Sequence, residues 1–169
     1  MAPSSSTRRI TRLAFLSAAG IALYVLESFI PTPLPFLKIG LANASSLAAL
    51  MLFSPLDMLL VVLSRVVVGS LLVGSLFSPA FLLGLCGGIV AALAMIAARK
   101  FGSGMFSVIG ISLIGSVAHI LTQLAVVMYL FAENESLLVL LPLLLTSAVV
   151  GGLIVGWISS EMLRVMKSH

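Results

Sequence analysis

The sequence predicts an all-α, polytopic membrane helix bundle of about six transmembrane segments, and three observations predict it. Hydrophobic residues make up 61% of the 169-residue chain and charged residues 8%, with a mean hydropathy of +1.29, whereas soluble domains are roughly half apolar and roughly a quarter charged. The apolar residues come in long uninterrupted runs rather than in the narrow stripes of a helix lying on a soluble core. Of the nine Lys and Arg residues, all but Arg65 fall at or beyond the ends of those runs. Membrane orientation accounts for that placement better than a polyanionic partner does, so the net charge of +4 does not point to nucleic acid.

Residues 1–11 are Ser-rich and basic and are expected to form a disordered cytoplasmic tail, with residues 12–167 making a single integral membrane domain. No persuasive cleavage site interrupts the first apolar run, so it reads as a retained span over residues 13–30. Pro31, Pro33 and Pro35 end it. Residues 43–53 are too few, at ~1.5 Å each, to cross a ~30 Å hydrocarbon core. Pro55 then breaks the run and residues 56–72 follow. The two pieces are either short tilted spans or a hairpin that dips in and returns. Further spans are expected over residues 80–98, closed by Arg99 and Lys100, over 106–131, ending at Glu133, Asn134 and Glu135, and over 137–158, with Glu161, Arg164 and Lys167 beyond.

An even number of crossings puts both termini on one face. Arg8, Arg9, Arg12, Arg99, Lys100, Arg164 and Lys167 then share a side opposite Glu133 and Glu135, which predicts a multi-pass protein of the cell membrane with both termini cytoplasmic.

Small residues let helix backbones approach where lipid supplies no hydrophobic drive. Gly84, Gly88 and Ala92, and again Ala148, Gly152, Gly156 and Ser160, form rows expected to pack inside the bundle. Ala14, Ala18 and Ala22 form a row on the first span that suits either internal packing or docking of another membrane subunit.

Ionisable groups at membrane depth cost at least ~2.5 kcal/mol on insertion scales, so each needs a partner or a purpose. Glu27 lies near the outer end of the first span and Arg65 deep in the third segment. Ser112, Ser116, His119 and Gln123 follow at spacings of four, three and four, which lines them on one helix face. The bland alternative is that the serines bond back to their own helix and Glu27 pairs with Arg65. Taken together, the residues fit a shared polar cavity. Beside them, the loop PTPLPFLKIGLAN carries Gly40 for an unusual turn, Asn43 as a cap for the next helix, and Lys38 near that helix's N-terminus, where an anion is favoured. An interrupted short helix in such a place points to a transporter binding site.

Other chemistries lack their residues. There is no GxxxxGK[ST] phosphate loop, so energy for active transport has to come from elsewhere. Asp57 is the only aspartate, which argues against the aspartate-rich magnesium sites of diphosphate ionisation. His119 has no neighbouring ligand for a metal, and Cys86, the only cysteine, has no disulfide partner. Neither a catalytic residue nor a cofactor is expected.

Glu27 closing the first span, KIGLAN at residues 38–43, SRVVVGSLLVG at 64–74, LCGGIVAAL at 85–93, SLIGSVAHILTQL at 112–124, and Pro142 ahead of Gly151, Gly152 and Gly156 together resemble one family. This is the Gx transporter family, also called heptaprenyl diphosphate synthase component I. The chain departs from it at Cys86, where a serine is usual before the glycine pair. The family is similar in size and topology to the substrate-binding S components of energy-coupling factor transporters. That likeness implies a ligand lid containing Lys38 and Asn43, and a docking face of Ala14, Ala18 and Ala22 for a transmembrane coupling subunit served by ATPases. The expected function is the substrate-binding membrane component of an uptake transporter for a small molecule of vitamin, cofactor or precursor type, with Glu27, Lys38, Asn43, Arg65, His119 and Gln123 at the ligand. An anionic or amphipathic ligand is favoured because Lys38, Arg65 and a helix N-terminus can converge on one negative group. The alternative is a non-catalytic membrane subunit associated with polyprenyl diphosphate synthesis.

Overall fold

In lipid an apolar run has no hydrogen-bond partner for its backbone except itself, so helices are the form such runs take. The computed structural model describes residues 5–30, 38, 40–102, 104–130 and 135–167. Its helices are α1 (Ser5–Glu27), α2 (Asn43–Leu52), α3 (Pro55–Leu72), α4 (Pro79–Phe101), α5 (Val108–Leu130) and α6 (Leu141–Lys167), the last entered through a 3₁₀ turn, Glu135–Leu140. Among the described residues five helices, all but α2, are long and apolar enough to cross a membrane. With its 10 residues, α2 covers about half of the hydrocarbon thickness. The protein is therefore an all-helical, multi-pass membrane bundle of five long segments and one short one.

Local signals set the breaks. Ser54 and Asp57 form a reciprocal capping box with Pro55 at the first helical position of α3, and Ser78 caps α4 ahead of Pro79. Pro142 falls in the first turn of α6, where its missing N–H costs nothing. The expected disordered tail is corrected in part. Residues 5–11 continue α1 as helix, because Arg9 reaches Asp57 at the head of α3 with bonds of 2.9 and 2.8 Å to its two carboxylate oxygens. Residues 1–4 lie outside the described residues, as do the loop prolines and the acidic turn at 133–134.

The Arg9–Asp57 pair puts the starts of α1 and α3 side by side. Arg99, near the end of α4, donates to the carbonyl of Leu50, near the end of α2. These contacts gather one basic end of the bundle. The chain descends from Glu27 through Lys38 and Gly40 and then as α2 to that end before α3 returns.

The interior position of α2 follows from its composition. Every residue from Asn43 to Leu50 is buried, and the helix touches α1, α3, α4 and α6. Four neighbours can close on one helix because half of its sequence, NASSLAALML, is alanine and serine. Ser159 of α6 donates to the carbonyl of Ala44 at 2.9 Å and fixes one of these contacts.

The small-residue rows of α4 and α6 pack internally as expected. A Cβ on Gly88 would stand 3.2 Å from Val62, and one on Gly156 would stand 2.9 Å from the Cα of Ile109. Ala14, Ala18 and Ala22 are all exposed, while Leu16, Gly20 and Tyr24 take the inward face of α1.

Candidate functional site

Six elements meet near the end of the bundle opposite the arginines. α1 contributes Tyr24 and Glu27, the connecting segment Lys38 and Gly40, α2 its first residue Asn43, α3 Arg65, α4 Gly84 and Gly87, and α5 His119 and Gln123. Glu27, Asn43, Arg65, His119 and Gln123 keep 3%, 1%, 2%, 2% and 0% of their surface exposed, so each is almost wholly out of contact with the surroundings.

Their bonds tie these elements into one cluster. Glu27 accepts from the backbone N–H of Gly40, and Arg65 donates through Nη2 to Oδ1 of Asn43. The backbone N–H of Lys38 donates to Oε1 of Gln123 at 3.3 Å. The Lys38 ammonium rests 3.3 Å from the centre of the Tyr24 ring, and the Tyr24 hydroxyl shares a 2.7 Å hydrogen bond with Ser70.

Two glycines make the convergence possible. Gly40 has φ +88°, a left-handed conformation that side chains rarely adopt, and a Cβ there would meet Asn43 Nδ2 at 2.8 Å and His119 Nε2 at 3.5 Å. On the facing helix a Cβ at Gly87 would meet His119 Nδ1 at 2.9 Å and Gln123 Cγ at 3.2 Å. His119 is thus seated between two backbones.

Tyr24, Glu27, Lys38, Gly40, Arg65, Gly84 and His119 line a cavity of about 10 Å³, room for about one water. Above it a groove of about 400 Å³ opens between the end of α1 and the α3–α4 turn, lined by Val25, Phe29, Ile30, Leu72, Val73 and Ala80 together with Ser28, Ser75, Glu27 and Lys38. Glu27 and Lys38 line both spaces. Among the residues lining the cavity, Arg65 Nε and both ring nitrogens of His119 have no hydrogen-bond partner among the described residues, nor do Asn43 Nδ2 and Gln123 Nε2 beside them or the hydroxyls of Ser46 and Ser116 farther along α2 and α5. Buried polar groups are nearly always paired, so such a concentration of unpaired ones sets this region apart from the rest of the bundle.

All six polar residues expected at the ligand are therefore brought together, with three corrections of detail. Asn43 does not cap α2: Ala42 holds the cap position without a side-chain bond, because the Arg65 guanidinium claims the Asn43 oxygen. Glu27 and Arg65 do not form the ion pair of the bland alternative; among the described residues the ion pairs are Arg9–Asp57 and Glu161–Arg164. Ser112 bonds across to the Gly152 carbonyl at 2.7 Å, rather than back to its own helix. Tyr24 was missed. Its signal was a polar-tipped aromatic three residues before Glu27 on the same buried face. No group of three potential metal ligands occurs among the described residues.

The sequence profile of one family, heptaprenyl diphosphate synthase component I, matches residues 16–162. The chain belongs to that family. For this member of the heptaprenyl diphosphate synthase component I family the match runs from the inward face of α1 almost to the end of α6, and so takes in every residue of the cluster. Neither a curated protein nor a solved structure matches the chain.

Proposed function

We propose that this membrane protein is the substrate-binding component of a small-molecule uptake transporter, taking its ligand from the groove beside Glu27 and Lys38 into the cluster around Arg65 and His119. One observation carries the reading: buried polar atoms without a hydrogen-bond partner among the described residues, on Arg65 and His119 in the wall of a small cavity and on Asn43 and Gln123 beside it, lie next to a space that shares Glu27 and Lys38 with an open groove. A structural role for these residues would pair the atoms with one another. The break between α1 and α2 that lowers Gly40 into the bundle is the type of interruption on which membrane carriers build their sites. The basic end is cytoplasmic in this reading, and a transmembrane coupling subunit with ATPases supplies energy.

The family description favours a second reading, a membrane subunit that assists a polyprenyl diphosphate synthase without catalysing the reaction. The word component in that description implies a partner.

Native mass spectrometry of the full chain released from nanodiscs tests the first reading. The wild type retains a small molecule, and K38A and R65A lose it while remaining folded. An identical spectrum for all three proteins defeats the proposal. Affinity purification separates the rival: ATPases and a membrane coupler accompany a transport component, and a soluble prenyl synthase accompanies a synthase subunit.

A further inference from the structure

The chemistry of the unpartnered atoms defines a ligand class, and the inference rests on the transport reading above. Amide orientation is settled here by the neighbours rather than by the shape of the side chain. A guanidinium and a backbone N–H can only donate, so the atom Asn43 turns to Arg65 and the atom Gln123 turns to Lys38 have to be their oxygens. Both acceptors are consumed. What each amide leaves over is its NH₂ group, and Arg65 leaves over Nε–H, a donor only. A neutral His119, whose Nδ1 edge lies against the Gly87 backbone, adds at most one further N–H and one acceptor. The one carboxylate facing the cavity, Glu27, has an oxygen occupied by the Gly40 N–H, and it faces two cations, Arg65 and Lys38. The cluster therefore offers donors in excess and a surplus of positive charge.

The groove above is different in character. Val25, Phe29, Ile30, Leu72, Val73 and Ala80 supply carbon, Ser28 and Ser75 add two hydroxyls, of which that of Ser28 already donates to the Val25 carbonyl, and the charged groups Glu27 and Lys38 line both the groove and the cavity. We infer that the ligand is an amphipathic oxyanion, an apolar body carrying a carboxylate or phosphate, which enters with its charged end first. The head takes hydrogen bonds from Arg65 Nε, Asn43 Nδ2 and Gln123 Nε2, and the apolar body stays in the groove. Because the cavity as it stands has room for about one water, the head is admitted when Lys38 leaves the Tyr24 ring, which joins the two spaces.

The test uses the full chain in phosphatidylcholine nanodiscs and four probes with the same six-carbon body: hexyl phosphate, hexanoate, hexanol and hexylammonium. Thermal unfolding is followed against probe concentration. One or both anions raise the midpoint saturably, and the alcohol and the amine do not. Which anion binds tells phosphate from carboxylate. Q123E and N43D retain an oxygen for Lys38 and Arg65 but exchange the free NH₂ for a second oxygen. Each lowers the affinity for the anions by about tenfold or more, as loss of a hydrogen bond to a charged group predicts. Q123E carries the test alone if N43D does not fold. Hexanol binding as well as the anions, no binding by either anion, or unchanged anion affinity in Q123E overturns the inference. The transport reading is judged separately: a neutral or cationic molecule retained by the wild type and lost in R65A keeps the carrier and rejects the oxyanion. Anion binding by a protein that retains and transports nothing does the reverse.

Discussion

Arg65 and Asn43, 22 residues apart, meet inside the bundle as a guanidinium donating to an amide oxygen, and this bond joins the middle of α3 to the first residue of α2. A charge buried in this way depends on its acceptor. Removing one partner strands the other, whereas removing both costs less. N43A is expected to lose about 1.5–3 kcal/mol of stability, the range for a hydrogen bond to a charged group. The double variant N43A/R65M is expected to unfold later than N43A alone. Denaturation in detergent, analysed as a double-mutant cycle, checks this; additive losses would mean that the two residues are not coupled.

Gly40 and Gly74 separate backbone strain from crowding. Both have positive φ, +88° and +67°, but a Cβ at Gly40 meets Asn43 and His119, whereas one at Gly74 meets nothing within 4 Å. G74A therefore pays only the left-handed backbone penalty of about 1–2 kcal/mol. G40A adds a clash inside the cluster and is expected to lower the unfolding midpoint further than G74A and to abolish ligand retention. Equal midpoints would show that the cluster yields to an extra methyl group.

Much of this was legible in the sequence because the cost of burial in lipid is so high. Each of Glu27, Arg65, His119 and Gln123 stood out against an apolar background, and the helical spacing from Ser112 to Gln123 was enough to put that stripe on one face. Partner choice was not legible. Asn43 looked like a cap because asparagine at a helix start usually is one, and only the arrival of Arg65 from another helix redirects its oxygen. Ser112 likewise finds a carbonyl of α6, 40 residues away, in place of its own turn. The helical character of residues 5–11 was hidden for the same reason, since the contact that anchors them is with Asp57, 48 residues on from Arg9.

The Arg9–Asp57 bond has unequal ends, with the arginine side chain 55% exposed and the aspartate 5%. R9A is expected to cost no more than about 1 kcal/mol, the usual ceiling for an ion pair open to solvent. D57A removes the capping box with Ser54 as well and is expected to cost about 1 kcal/mol more. Unfolding measured at low salt and at ~1 M salt sorts the two contributions, because screening weakens the ion pair and leaves the cap in place. The gap between wild type and R9A should shrink with salt; a constant gap would show that Arg9 acts through packing.

Ala18 and Gly156 both belong to rows of small residues, yet one is exposed and the other has the Cα of Ile109 2.9 Å from where its Cβ would be. A leucine at the two positions should therefore fail in different assays. G156L forces α5 and α6 apart and is expected to destabilise the bundle by about 1–3 kcal/mol or more, the usual cost of overpacking. A18L adds carbon to a face that already meets lipid, so the isolated protein should unfold within ~0.5 kcal/mol of the wild type, as for other surface changes. If the row of Ala14, Ala18 and Ala22 is the docking face for a coupling subunit, A18L nevertheless blocks close backbone approach in the complex. Co-purification of that subunit should fall sharply with A18L while ligand retention by the isolated chain stays unchanged. Recovery of the intact complex with both A18L and A14L would remove this face from the interface and leave it to the lipid.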